Sequence, residues 1–115
     1  MVKRYDLHLV SDATGETIHS VARACLAQFD SVEPAEHHWS LVRTVGQIDK
    51  VLNGISANPG VVMFTIVDNT LRIKLQDGCR SLRVPCIPVL DPTMATLANY
   101  FGIESRGEAG LQHTL

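Results

Sequence analysis

Residues 61–67, VVMFTIV, are apolar at every position except Thr65. Breakers bound the run on both sides, Asn58-Pro59-Gly60 before it and Asp68-Asn69-Thr70 after it. A strand with one wet face alternates apolar and polar residues. A continuous apolar run of this length suits a strand covered on both faces, the condition of a parallel sheet with helices above and below it. The rest of the chain must then supply neighbouring strands and covering helices.

It does so in regular alternation. Residues 5–10 read as a first strand. Ile18, Val21, Ala22, Cys25, Leu26 and Phe29 then recur at i, i+3, i+4, i+7, i+8 and i+11, one face of an α-helix, with His19 and Arg23 off that face. Residues 30–36 read as a polar connection punctuated by Pro34. Residues 38–42, HWSLV, read as a second strand whose alternation predicts a wetter, edge position. Thr44 and Gln47 stand three apart before Val45, Ile48, Val51, Leu52 and Ile55, the pattern of a capping box that opens a second helix. After the apolar run, Asp68 to Thr70 supply another cap, and Leu71, Leu75 and Leu82 mark a third helix that Gly78 is expected to end early. Pro85 and Pro88 remove ladder donors within residues 84–90, so the fourth strand is expected to be short or at an edge. Asp91-Pro92 places a capping acid before a proline, and Met94, Leu97, Ala98 and Phe101 give a fourth helix its apolar face, with Gly102 as its stop.

Strands joined by crossover helices are parallel with right-handed connections. The expected fold is a layered α/β domain of about four mostly parallel strands with flanking helices, Rossmann- or flavodoxin-like, over residues 1–102. Residues 103–115 lack periodicity and read as an irregular tail. Four strands make a small doubly wound sheet, so the chain is expected to be the front part of a longer protein.

Composition narrows the function classes. With 115 residues, 45% hydrophobic and 19% charged, the chain reads as one globular domain. A net charge of -2 provides no basic field for nucleic acid. No apolar run is long enough to span a membrane, and the first ten residues are too polar for a signal peptide, so a cytoplasmic protein is expected. Cys25, Cys79 and Cys86 form no CxxC motif and read as small buried hydrophobes in a reducing compartment, Cys25 on the apolar side of the first helix.

In an open parallel sheet, ligands bind beyond the carboxyl ends of the strands. The residues leaving each strand there are Ser11 and Asp12, then Arg43 and Thr44, then Asp68 and Asn69, then Asp91. The first exit belongs to residues 7–17, LHLVSDATGET, where a strand passes through a polar turn into a helix. The N–H groups and positive dipole end of a helix start favour anions, and small hydroxyl residues with a glycine let a phosphate approach them. Ser11, Asp12, Thr14, Gly15, Glu16, Thr17, Arg43, Asp68 and Asp91 are therefore the candidate phosphate- or substrate-binding residues, with Mg²⁺ a candidate to bridge carboxylate and phosphate. Taken residue by residue, helix capping accounts better for Asp12 or Thr14, Thr44, Asp68 and Asp91. An arginine at a helix start opposes the dipole, which sets Arg43 apart.

Other candidates are weaker. His37 and His38 are adjacent and point to opposite strand faces, poor geometry for one metal, so no metal ligands are assigned. His8 lies in an apolar strand and reads as a satisfied core residue, and His113 has no local motif. There is no GxSxG, HExxH, GxGxxG or GxxxxGK[ST] motif, and Lys3, Lys50 and Lys74 follow no glycine-rich turn. Two classes remain: a domain of a phosphate-handling enzyme or regulator, and a phosphotransfer receiver using Asp68. The receiver needs several carboxylates at the first exit and a lysine at a fifth, and this chain offers only Asp12 and no fifth strand.

LHLVSDATGET, VARACLAQFD, VEPAEHHWSLVRT, ANPGVVMFTIVD, the VLDP of residues 89–92 and the GLQH of residues 110–113 together resemble the N-terminal half of the bacterial pyruvate, phosphate dikinase regulatory proteins, whose sister group regulates phosphoenolpyruvate synthase. The resemblance covers essentially the whole chain in order. It implies a bifunctional regulator that phosphorylates a threonine of the dikinase with ADP, inactivating it, and removes that phosphate with inorganic phosphate, releasing pyrophosphate. It implies the dikinase as partner and leaves a homodimer open. The family's nucleotide-binding phosphate loop lies in its C-terminal half, so ADP and phosphate are substrates of the full-length protein and these residues alone are expected to be inactive and to bind neither tightly. Alternatively, this half is a docking module and takes no part in the chemistry.

Overall fold

The computed structural model describes residues 2–110. Strands β1 (Lys3–Ser11), β2 (Val32–Trp39), β3 (Gly60–Thr65) and β4 (Cys86–Pro88) alternate with helices α1 (Glu16–Leu26), α2 (Val45–Ala57), α3 (Asn69–Leu82) and α4 (Asp91–Phe101). The strands form one sheet in the order β2-β1-β3-β4, and every pairing is parallel. This is the expected α/β architecture.

The two faces of β3 explain its unbroken apolar run. Val62 and Phe64 join Val10 of β1 beneath α2 and α3, packed with Ile48, Val51, Ile55, Leu71 and Leu75. Met63 lies on the opposite face with Leu7 and Leu9, beneath Ile18 and Ala22 of α1. The sheet is thus the middle of three layers.

Several boundaries differ from expectation. The second strand starts at Val32, not residue 38, and ends at Trp39, so the connection containing Pro34 is itself strand. Pairing along the whole of β1, from Lys3↔Val32 to Val10↔Trp39, draws it in. An edge strand tolerates Pro34 because it carries a ladder on one side only. Residues 40–42 leave the sheet and instead bond the turn after β1, Leu41 N–H to the Ala13 carbonyl at 2.9 Å and Val42 N–H to the Ser11 carbonyl at 3.0 Å. The fourth strand is short and at the other edge, as its prolines required. Thr44 closes its capping box with Gln47.

Gly78 does not end α3. A Cβ there would lie 2.5 Å from Leu52 Cδ1, so the glycine lets α3 sit close against α2. α1 ends before Phe29, which is exposed, and Cys25 is exposed as well, against the expectation of a buried thiol. Val21 and Leu26, rather than Cys25, flank Ile18 and Ala22 in the contact with the sheet. Cys79 is buried and Cys86 half-buried; the Cys79 thiol donates to the Cys86 sulfur, holding Cys86 below its ordinary pKa and Cys79 above. α4 buries none of its residues, and Met94, Leu97 and Phe101 are exposed. Gly102 stops it in the left-handed conformation, φ 70°.

His8 is fully buried and satisfied at both ring nitrogens. Nε2 lies 2.8 Å from the Asn58 carbonyl and Nδ1 accepts from Trp39 Nε1–H at 3.1 Å. A carbonyl and an indole N–H can both be served only by the neutral ring protonated at Nε2. Burial lowers the pKa of this ring. Among the described residues, no helix is long and apolar enough to cross a membrane.

Candidate functional site

The strand order reverses between β1 and β3. α1, which follows β1, and α3, which follows β3, cover opposite faces of the sheet. Such a reversal leaves a crevice beyond the carboxyl ends of the two strands. A cleft of about 340 Å³ lies there, with Asp12 from the β1 exit, Thr65 from the end of β3, Asn69 and Arg72 from α3, and Asp91 from α4 in its walls. Ser105, Glu108 and Gly110 of the segment after α4 also line it, so this stretch of the expected tail turns back over the strand ends. Leu111, Gln112 and His113, the remainder of the GLQH stretch, lie outside the described residues.

Arg72 is held on three sides. Its Nη1 donates to the Ile66 carbonyl at 2.9 Å, its Nη2 pairs with Asp91 Oδ2, and its guanidinium carbon lies 5.3 Å from the centroid of the Phe64 ring. Asp12 is buried, and its Oδ2 accepts from Val67 N–H at 2.9 Å, tying the β1 exit to the β3 exit. Burial raises its carboxyl pKa; the Val67 N–H and the nearby Arg43 guanidinium act in the opposite sense. Thr65 Oγ1 is buried with no hydrogen-bond partner among the described residues. A buried hydroxyl without a partner costs about 1–3 kcal/mol, so one in a cleft wall is a group that a water or a bound ligand can satisfy.

The structure divides the sequence-derived candidates. Of Ser11, Asp12, Thr14, Gly15, Glu16 and Thr17, Asp12 alone lines the cleft. The Ser11 hydroxyl accepts from Ala13 N–H at 3.0 Å and so shapes the turn. Gly15 is the residue before α1, at φ 94°, so the cap position itself carries no side chain, and the cap expected of Asp12 is not at that position. A left-handed residue at this position belongs to glycine, and Asp12 is committed to Val67 instead. Arg43 reaches the rim although it lies four residues past β2. The bonds from Leu41 and Val42 carry it there, and its Nε donates to the Asp12 carbonyl at 2.7 Å.

Asp68 is exposed, and its Oδ1 accepts from Leu71 N–H at 3.0 Å as the cap of α3. It does not line the cleft, so the receiver reading gains nothing from its position. Asp91 is the first residue of α4 rather than its cap, and its carboxylate turns to Arg72. The ion pair holds it away from the helix start. Thr65, Asn69, Arg72, Ser105 and Glu108 are polar cleft residues outside the sequence-derived set. Thr65 had a signal, being the one polar residue in an apolar run. Arg72 had none, since an arginine on an amphipathic helix reads as solvated.

The family model described as "Kinase/pyrophosphorylase" matches residues 7–115. Curated relatives provisionally named pyruvate, phosphate dikinase regulatory proteins align over nearly the whole chain. One from Paramagnetospirillum magneticum is 53% identical over 99% of this chain and 37% of its own length. One from Rhodospirillum rubrum is 44% identical over 99% of this chain and 42% of its own. One from Caulobacter vibrioides is 47% identical over 96% and 35%. The chain thus spans between 35% and 42% of the length of these three relatives.

Proposed function

This chain belongs to the kinase/pyrophosphorylase family, and on that premise we propose that it is the N-terminal domain of a bifunctional regulator of pyruvate, phosphate dikinase. The full-length protein would phosphorylate a dikinase threonine with ADP, and would return the phosphoryl group to inorganic phosphate as pyrophosphate. Both directions handle a phosphorylated threonine, a phosphate acceptor or donor, and the negative charge that develops between them. Such a transfer is catalysed chiefly by positioning and by charge stabilisation.

In this reading the β1–β3 cleft receives a phosphate-bearing group. The supporting observation is the buried Thr65 hydroxyl, without a partner among the described residues and set in the same walls as Arg72, Asn69 and Asp12. A hydroxyl, an amide and a guanidinium are the donors that phosphate oxygens accept from. Arg72 would exchange Asp91 for a phosphate oxygen, and the released Asp91 and Asp12 could share a Mg²⁺ with the phosphate. The Ser11 hydroxyl, bonded to Ala13 N–H, acts by shaping the turn that holds Asp12 in place rather than by binding directly.

The test uses the full-length protein containing this chain, with Thr65→Val and Arg72→Met introduced separately. Dikinase inactivation by ADP and reactivation by phosphate are then measured. Each variant is expected to lose at least about tenfold in one or both directions, roughly 1.4 kcal/mol of transition-state stabilisation, while keeping its circular dichroism spectrum. Unchanged rates in both directions would remove the cleft from the chemistry.

A second reading, a docking module with no part in the chemistry, is favoured by the bare apolar side of α4. Binding of this chain to the dikinase that is lost with Leu97→Asp, together with unchanged rates for the cleft variants, would favour it.

A further inference from the structure

The edge strand carries a second constellation, on the sheet face covered by α1. Glu36 and His38 are two residues apart on β2, so their side chains leave the same face. Their register partners on β1 are Leu7 and Leu9, which pack beneath α1. His19, in the first turn of α1, comes down to meet them. Glu36 Oε1 lies 3.1 Å from His38 Nε2 and 3.9 Å from His19 Nδ1, and all three donor atoms fall within 4.8 Å of one another. The two imidazoles are tilted by 42° with centroids 5.7 Å apart, so they approach a shared point from different directions. His37 takes no part, because it points to the other face, where its Nε2 bonds Asp6 at 2.8 Å and its ring stacks on His8.

We propose that His19 Nδ1, Glu36 Oε1 and His38 Nε2 are a binding site for a divalent transition-metal ion, Zn²⁺ being the ion this donor set suits best. Zn²⁺ takes imidazole nitrogen and carboxylate oxygen at about 2.0–2.2 Å in tetrahedral array, which sets neighbouring ligand atoms about 3.2–3.6 Å apart. The observed separations straddle that range, so small side-chain rotations close the site. Mg²⁺ and Ca²⁺ prefer oxygen ligands, and only one of these three residues offers any.

Burial is graded in the way a surface site requires. The Glu36 side chain is 15% exposed, whereas those of His19 and His38 are 45% and 51% exposed. The ion therefore has an entry path and a fourth position open to water. Bound there, it would staple α1 to β2, whose outer ladder edge has no neighbour in the sheet among the described residues. As ion pairs alone, these contacts would contribute little at such exposure.

The test is a Zn²⁺ titration of the metal-free chain against a chromophoric chelator, paired with Co²⁺ absorption spectroscopy and thermal unfolding. One Zn²⁺ per chain is expected, with Kd near or below about 1 μM. Co²⁺ should give the intense visible bands of a tetrahedral site. Zn²⁺ should raise the unfolding midpoint. His19→Ala and His38→Ala should each weaken binding by about tenfold or more, and Glu36→Gln, which keeps the shape of the side chain, should do the same. The double variant Cys25→Ser/His113→Ala removes an exposed thiol and a histidine beyond the described residues, and should bind as the unaltered chain does. Affinity weaker than about 100 μM, binding that survives all three ligand substitutions, or binding lost in the double variant would overturn the assignment. Mg²⁺ at millimolar concentration should not compete; if it does, the site is a hard-cation site and the proposal fails.

Discussion

Replacing Gly54 with alanine would test how α2 and the edge strand are locked together. A Cβ at Gly54 would stand 2.5 Å from Trp39 Cη2, well inside van der Waals contact, and Trp39 is not free to yield. Its indole N–H is bonded to His8 Nδ1 at 3.1 Å, and His8 is itself fixed to the Asn58 carbonyl at the end of α2. Three contributions set the size of the effect. Overpacking of this kind costs about 1–3 kcal/mol. A strained or broken Trp39–His8 bond adds about 1 kcal/mol. Alanine in place of glycine inside a helix returns about 1 kcal/mol. The net destabilisation is about 1–3 kcal/mol. With a urea slope of about 1–3 kcal/mol/M for a small domain, the midpoint should fall by on the order of 1 M.

The assay is urea unfolding followed by circular dichroism, with the fluorescence of Trp39, the only tryptophan in the chain, as a second probe. Repeating Gly54→Ala in a Trp39→Phe background completes a cycle that isolates the contact. There the clash is gone, and the substitution should be neutral or stabilising by up to about 1 kcal/mol from helix propensity. A Gly54→Ala variant at least as stable as the parent, or an equal effect in both backgrounds, would refute the packing argument.

Thr65→Val replaces a buried hydroxyl lacking a partner among the described residues with a methyl group of similar shape, and should raise stability by about 1 kcal/mol in thermal or urea unfolding; a loss of that size would mean that the hydroxyl is satisfied. Asp12 has a folded pKa raised by burial, so its contribution to stability is greatest below the ordinary carboxylate range and is lost as pH rises through the folded value. Asp12→Asn should therefore flatten the stability profile on that side and be neutral or stabilising at pH 7, as read by urea midpoints across pH. His8 has the opposite sign. Its folded pKa is lowered, so the stability it contributes is present above its unfolded value of 6.5 and lost as pH falls below it, because a second ring proton would face the Trp39 N–H. His8→Gln should shrink that acid-side loss even if it lowers stability overall. Thr44→Ala removes a capping box and should cost about 1 kcal/mol.

What the sequence by itself determined is the architecture, because its signals are local. The unbroken run 61–67 required cover on both faces, the 3.6-residue stripe defined α1, the Thr44–Gln47 pair opened α2, and Pro85 with Pro88 confined β4 to a short edge. The chemistry of single residues was legible in the same local way where it concerned capping, as Asp68 shows. The tertiary structure alone decided which polar groups meet. β2 begins six residues before its alternation suggested, since pairing with β1 outweighs the proline and the polar connection. Arg43 rejoins the rim through backbone bonds made by Leu41 and Val42. Asp91 leaves its helix start for Arg72, an arginine with no distinguishing pattern around it. Likewise His38 was discounted beside His37, because adjacency in a strand separates two side chains, while its neighbours in space are Glu36 two residues back and His19 on another element. Period and punctuation fix which face of an element is apolar. Which charges and imidazoles share a cleft depends on how whole elements pack, and no local pattern carries that information.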